Sequence, residues 1–153
     1  MLYIILILIL IGLDQLSKYL IATNMNIHDS IKLIENFFYI TYVRNDGAGF
    51  SILSGQRYLL ILVSLIAACV FVYFLYKSKD KIEKLLCSFI IAGALGNLSD
   101  RLFYGSVVDF LDFKILGYDY PVFNVADIFI TVGIILYIIY LYLHDRKVID
   151  DAN

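Results

Sequence analysis

The sequence predicts an all-α integral membrane protein, four transmembrane helices carrying a small β-platform on the extracytoplasmic side. Three observations lead there. Of the 153 residues, 61% are hydrophobic and only 17% charged, with a mean hydropathy of +0.83; a water-soluble domain of this size needs more charge to wet its surface. Four apolar stretches are each long enough, at about 1.5 Å per residue, to cross roughly 30 Å of hydrocarbon. Thirteen Tyr and eleven Phe suit the two interfaces of a bilayer as well as a core. A net charge of −2 gives no footing for nucleic acid.

The first stretch, about Leu2–Ala22, has no basic leader and no small-residue cleavage pattern, and it carries Asp14 and Lys18. It therefore reads as a permanent helix and not as a removable signal. The second and third, about Tyr58–Tyr76 and Leu85–Phe103, flank Lys77-Ser-Lys-Asp-Lys-Ile-Glu-Lys84. The fourth, about Val122–Leu143, runs into His144-Asp-Arg-Lys147. Dense basic segments mark the cytoplasmic side, so both termini are expected inside. Residues 23–57 and 104–121 then lie outside, within a single domain spanning 1–153.

The first outer segment holds Ile31–Ile34 and Phe37–Val43, rich in aromatic and β-branched residues, followed by the turn chemistry of Asn45-Asp-Gly-Ala-Gly49. These predict a small sheet at the outer surface. The second outer segment holds Val107-Val-Asp-Phe-Leu-Asp-Phe113 and a turn at Gly117–Pro121. Cys69 and Cys87 sit in apolar runs without metal-ligand spacing and read as small hydrophobes.

Charge inside a membrane is costly, so each intramembrane polar residue is a functional candidate. Asp14, Ser17 and Lys18 share a helix face by spacing, as do Asn97, Asp100 and Arg101, and Asn124 and Asp127. With the orientation above, all three groups fall in the outer half of the bilayer, and the inner half is nearly bare. A structural reading competes: Asp14–Lys18 and Asp100–Arg101 as ion pairs that specify packing, and Gly93 and Gly96 as close-packing positions.

Elimination narrows the chemistry. The chain has no G-x-S-x-G, H-E-x-x-H or phosphate loop, and its two histidines, His28 and His144, fall outside the spans. Carboxylates remain. Two of them close together share one proton, so that the ionised member takes a proton from water and the protonated member donates to a carbonyl. Asp14, Asp100, Asp109, Asp112 and Asp127 are the candidates. Asp14 and Asp100 have cations nearby in sequence, whereas Asp109 and Asp127 have none. That favours pairing Asp109 with Asp127, other pairings staying open; Asp112 reads as an interfacial acid.

Five segments taken together carry a family likeness: Asp14-Gln-x-x-Lys18, Asn45-Asp-Gly-Ala-Gly-Phe50, Gly96-Asn-Leu-Ser-Asp-Arg101, Val107-Val-Asp-Phe110 and Phe123-Asn-Val-Ala-Asp127. Their order and the four-helix frame resemble the bacterial lipoprotein signal peptidases, signal peptidase II, over almost the whole chain. The resemblance implies an aspartyl endopeptidase of the bacterial plasma membrane, with its site at the outer face. Its substrates would be prolipoproteins bearing a diacylglyceryl group on Cys, cut just before that Cys. It implies Asp109 and Asp127 as the catalytic dyad, with Asn45, Asn97, Arg101 and Asn124 lining the site. Asp14, Lys18 and Asp100 become polar supports. No metal or cofactor is implied; the partners are lipidated prolipoproteins and membrane lipid, and nothing in the sequence demands more than a monomer. The outer-loop motif departs from the family's usual N-T-G-A-A-F at Asp46 and Gly49, which bears on substrate fit.

Two other classes compete. A small transporter would need polar residues at several depths, and a lipid-binding assembly protein would leave Asp109 and Asp127 replaceable.

Overall fold

The structure is a computed structural model describing residues 1–48 and 52–151. Gly49 and Phe50 of the outer-loop motif lie outside the described residues. The described residues form four helices: α1 Leu2–Asn24, α2 Arg57–Lys77, α3 Lys81–Phe103 and α4 Val125–Asp151. Each contains a span long and apolar enough to cross a membrane. Four strands, β1 Ser30–Ile34, β2 Phe38–Asn45, β3 Val107–Ile115 and β4 Tyr118–Asp119, make one antiparallel sheet in the order β1-β2-β3-β4.

α3 is the central helix and packs against the other three. Its most apolar window is 61% buried, against 11–17% for the others, and it is also the least hydropathic of the four. The two facts have one cause. A helix surrounded by protein can carry polar groups that find partners, whereas α1, α2 and α4 present Leu, Ile and Val outward, as helices bathed in lipid do. Close approach is made possible by small residues. A Cβ at Gly93 would strike the Ala126 carbonyl and come within 2.7 Å of Ile130 Cγ1, and one at Gly133 would reach Ile90 Cγ1 at 2.7 Å. The reading of Gly93 as a packing position therefore holds.

The boundaries differ from expectation at both ends of the bundle. α3 begins at Lys81, four residues before its apolar run, because the Asp80 side chain accepts from Ile82 N at 2.6 Å and Glu83 N at 3.1 Å. The lysine-rich stretch is thus mostly helix, with only 78–80 between α2 and α3. α4 begins three residues later than its apolar run, after Asn124, which is the helix cap and not a member of a helical face.

The sheet takes strands from both outer segments. β3 lies beside β2 with Val43 opposite Asp109 and Asn45 opposite Val107. Phe38 stacks on Phe113 with centroids 4.4 Å apart, and Phe113 stacks on Phe123 at 5.7 Å, fixing the sheet to the chain that enters α4. At the sheet end, Arg57 opens α2 and donates from Nε to Arg101 O at 2.7 Å and from Nη2 to Leu102 O at 2.9 Å. It caps the last carbonyls of α3, where a cation is also favoured by the helix dipole.

Candidate active site

Three helices and two strands bring their polar residues to one place beneath the sheet. Asp14, Lys18, Asn97, Asp100, Arg101, Asp109 and Asn124 are all buried. At the opposite end of the bundle, Ser88 is the lone fully buried polar side chain among the described residues, and it bonds to Lys84 O in its own helix. The asymmetry expected from the sequence is present.

The dyad candidates come from different elements. Asp127 sits one turn into α4, where Asn124 and Asp127 form a reciprocal cap: Asp127 N donates to Asn124 Oδ1 at 3.0 Å, and Asn124 N donates to Asp127 Oδ2 at 3.1 Å. The sequence Asn-Val-Ala-Asp thus ties one oxygen of the carboxylate to the helix start. Asp109 is carried by β3 and accepts from Asn45 Nδ2 at 2.8 Å and Asn124 Nδ2 at 2.6 Å. Asn45 is itself oriented by Gly47 N, which donates to its Oδ1 at 2.9 Å. Asn124 therefore touches both acids. Both line a cavity of about 510 Å³ with Asn45, Asn97, Arg101 and Asn124. Its far wall is apolar, from Leu60 and Val63 of α2 to Ile128 and Val132 of α4.

Burial pushes the Asp109 carboxyl up to about 6, and the negative charge of Asp127 adds to the rise. The amide donors of Asn45 and Asn124, and the more distant Lys18, oppose it. A carboxyl so placed holds a proton far closer to neutrality than a solvated one.

Behind Asp127 lies a second polar layer. Lys18 Nζ donates to Asp14 Oδ2 at 2.8 Å and Asn97 Oδ1 at 2.9 Å, and pairs with Asp100 Oδ2 at 3.1 Å. Asp14 in turn accepts from Ala126 N at 2.9 Å, tying α1 to the start of α4. Asn97 Nδ2 donates to Asp127 Oδ1 at 2.8 Å.

One pairing changes, and one further residue joins the cluster. Asp100 pairs with Lys18 and not with Arg101, because adjacent residues on a helix point about 100° apart; Asp100 faces α1 while Arg101 faces the cavity. Arg101 Nη2 donates to Gly47 O at 2.7 Å, and its Nε has no partner among the described residues. Gln15, given no role from the sequence, donates from Nε2 to Asp14, Gly96 O and Asp100 at 3.0–3.2 Å. Its place next to Asp14 sets it off that residue's face, so no spacing rule marks it. Asp112 stays on the sheet, accepting from Thr41 Oγ1 at 2.6 Å.

Residues 6–143 match the family model described as signal peptidase (SPase) II. The chain is 42% identical over 149 residues to a lipoprotein signal peptidase of Bacillus pumilus, covering 96% of each protein. It is 45% identical over 130 residues to one of Staphylococcus aureus, covering 84% of this chain and 80% of that protein. Two solved structures titled as a bacterial membrane enzyme resemble it. The first has a TM-score of 0.89 at 41% identity, covering 95% of this chain and 90% of the other. The second has a TM-score of 0.82 at 42% identity, covering 91% of each.

Proposed function

The chain belongs to the signal peptidase II family, whose members cleave lipoprotein signal peptides, and from that premise we propose that it is an aspartyl endopeptidase with Asp109 and Asp127 as its dyad. It is a multi-pass protein of a bacterial membrane. The observation that carries the aspartyl reading is geometric. Two carboxylates from separate elements wall one cavity and are both hydrogen-bonded to Asn124.

In this mechanism Asp127 is the ionised member and Asp109 holds the shared proton. Asp127 is favoured as a carboxylate because it accepts from a backbone N–H at a helix start and from Asn97. Asp109 is buried and is held by two neutral side-chain amides, those of Asn45 and Asn124, with no backbone N–H of a helix start donating to it. A water in the cavity gives its proton to Asp127 as its oxygen attacks the scissile carbonyl, and Asp109 protonates the carbonyl oxygen. The resulting gem-diol then collapses. Asp127 passes its proton to the departing amide nitrogen, the C–N bond breaks, and a diol hydroxyl returns its proton to Asp109. No acyl-enzyme forms.

The substrate is a prolipoprotein whose Cys carries a diacylglyceryl group, cut immediately before that Cys. The apolar wall between α2 and α4 accommodates acyl chain and signal residues, while Asn45, Arg101 and the Asn97 and Asn124 amides face the peptide. The sheet end is extracytoplasmic, the lysine-bearing end is cytoplasmic with both termini, and the enzyme works as a monomer in contact with lipid.

The test is cleavage of a diacylglyceryl-modified prolipoprotein by the purified chain in detergent. Asp109→Asn and Asp127→Asn should each abolish cleavage while keeping a cooperative thermal transition, and Asp112→Asn should stay within about threefold of wild type. Near-normal turnover in either dyad variant would move the chemistry to Asp14 or Asp100.

A further inference from the structure

We propose that Lys18 is a positioning residue for the reaction, acting on Asp127 through the side-chain amide of Asn97. The inference rests on the dyad reading and gives the supporting cation a specific task. An ammonium has three protons and no acceptor. Those of Lys18 are matched by Asp14 Oδ2, Asn97 Oδ1 and Asp100 Oδ2 at 2.8–3.1 Å, and the residue is only 3% exposed. Its direction is fixed by one partner on its own helix and two on α3.

An asparagine amide has an oxygen that accepts and a nitrogen that donates, and a half-turn about its terminal bond exchanges them. At Asn97 the exchange is forbidden. Its Oδ1 accepts from Lys18 and from Asn124 Nδ2 at 3.2 Å, so its Nδ2 must face Asp127 Oδ1. The reversed amide would set N–H groups against the ammonium and the Asn124 amide, and an oxygen against the Asp127 carboxylate. Lys18 supplies the stronger of the two forces that prevent this, because its donor is charged and buried. The effect on Asp127 is directional: one carboxylate oxygen is held by Asn97, leaving the other atoms of the group in register with the water it deprotonates.

A residue that acts only through Asn97 should change turnover and not substrate binding, and its effect should vanish once Asn97 is gone. The experiment is a double-mutant cycle on the purified full chain, with Lys18→Met, Asn97→Ala and the pair, reading kcat and KM for the diacylglyceryl-modified prolipoprotein. Lys18→Met removes a cation shared by Asp14 and Asp100. The same cycle is therefore run in an Asp14→Asn background, where the loss of one charge of each sign keeps the buried cluster balanced. The expected result is a fall in kcat of about 100-fold for Lys18→Met, with KM changed less than about threefold. The double variant should be no slower than Asn97→Ala alone. Losses that multiply, a KM effect as large as the kcat effect, or a Lys18→Met enzyme within threefold of its parent in either background would overturn the assignment. Activity surviving Asp127→Asn would instead remove the dyad reading; an inactive Asp127→Asn beside an additive cycle removes only the role of Lys18.

Discussion

Gly93→Ala tests the geometry most sharply, because it changes no polar atom. The added Cβ would meet the Ala126 carbonyl and stand 2.7 Å from Ile130 Cγ1 and 3.1 Å from Ile130 N. Reaching ordinary van der Waals separation from that side-chain atom alone requires α3 and α4 to part by about 0.7 Å, since such contacts begin near 3.4 Å. Backbone atoms are among those struck, so a rotamer change cannot absorb the whole displacement. Asn97 lies one turn along the same face of α3, and Asp127 follows Ala126 directly. The 2.8 Å bond between Asn97 and Asp127 therefore stretches toward 3.5 Å and is lost. In stability the overpacking costs about 1–3 kcal/mol, offset by up to about 1 kcal/mol from replacing a mid-helix glycine. In turnover, a misplacement approaching 1 Å costs up to about 100-fold. The expected signature is a kcat loss of tenfold or more beside a net destabilisation of about 1–2 kcal/mol. Gly12→Ala is the control, since a Cβ there meets nothing within 4 Å. The assay is prolipoprotein cleavage paired with thermal unfolding in the same detergent. A Gly93→Ala enzyme within twofold of wild type would refute the claim that this close approach sets the site.

Asp109 carries a folded-state pKa raised to about 6, so its protonation favours the fold fully below about pH 4, and that contribution is lost as pH rises through 6. Above that, its desolvated charge costs about 3 kcal/mol; thermal unfolding should show wild type weakening relative to Asp109→Asn between pH 4 and 7, and parallel curves would contradict it. Asn124→Ala removes the α4 cap and the amide shared by both acids, costing about 1 kcal/mol and about 100-fold or more in kcat. Asn124→Ser should recover the stability, by supplying a cap oxygen, but not the turnover. Arg57→Ala deletes two donors to the last carbonyls of α3; it should lower stability by about 1–2 kcal/mol and leave kcat within about threefold, measured by the same two assays.

Much of this architecture was legible in local sequence. Four spans follow from run length and hydropathy, which are properties of neighbouring residues. The clustering of Asp14, Lys18, Asn97, Asp100 and Asp127 toward one end follows from helix period and the placement of the basic loops. Asp109 was singled out for its lack of a neighbouring cation, and the structure does set it in the same cavity as Asp127. The elements that resisted reading depend on distant chain. The second outer segment showed turn and strand chemistry but gave no register, because pairing Asp109 with Val43 joins residues far apart in sequence and is settled by packing.

What the sequence determined alone is that this chain needs a bilayer and that its few intramembrane charges must be partnered, since hydrocarbon offers unpaired charge no solvent. The Asn124–Asp127 spacing reads in sequence as one helical face, and the structure makes it a reciprocal cap at the start of α4. Which groups partner those charges is set by how the helices close on one another. Asp100 turned to Lys18 and not to adjacent Arg101 because rotation about the α3 axis, fixed by glycine-mediated packing against α4, points neighbouring side chains at different helices. Asn97 acquired a single amide orientation for the same reason: three of its polar contacts come from α1 and from the chain entering α4, which meet at α3 only once the bundle closes.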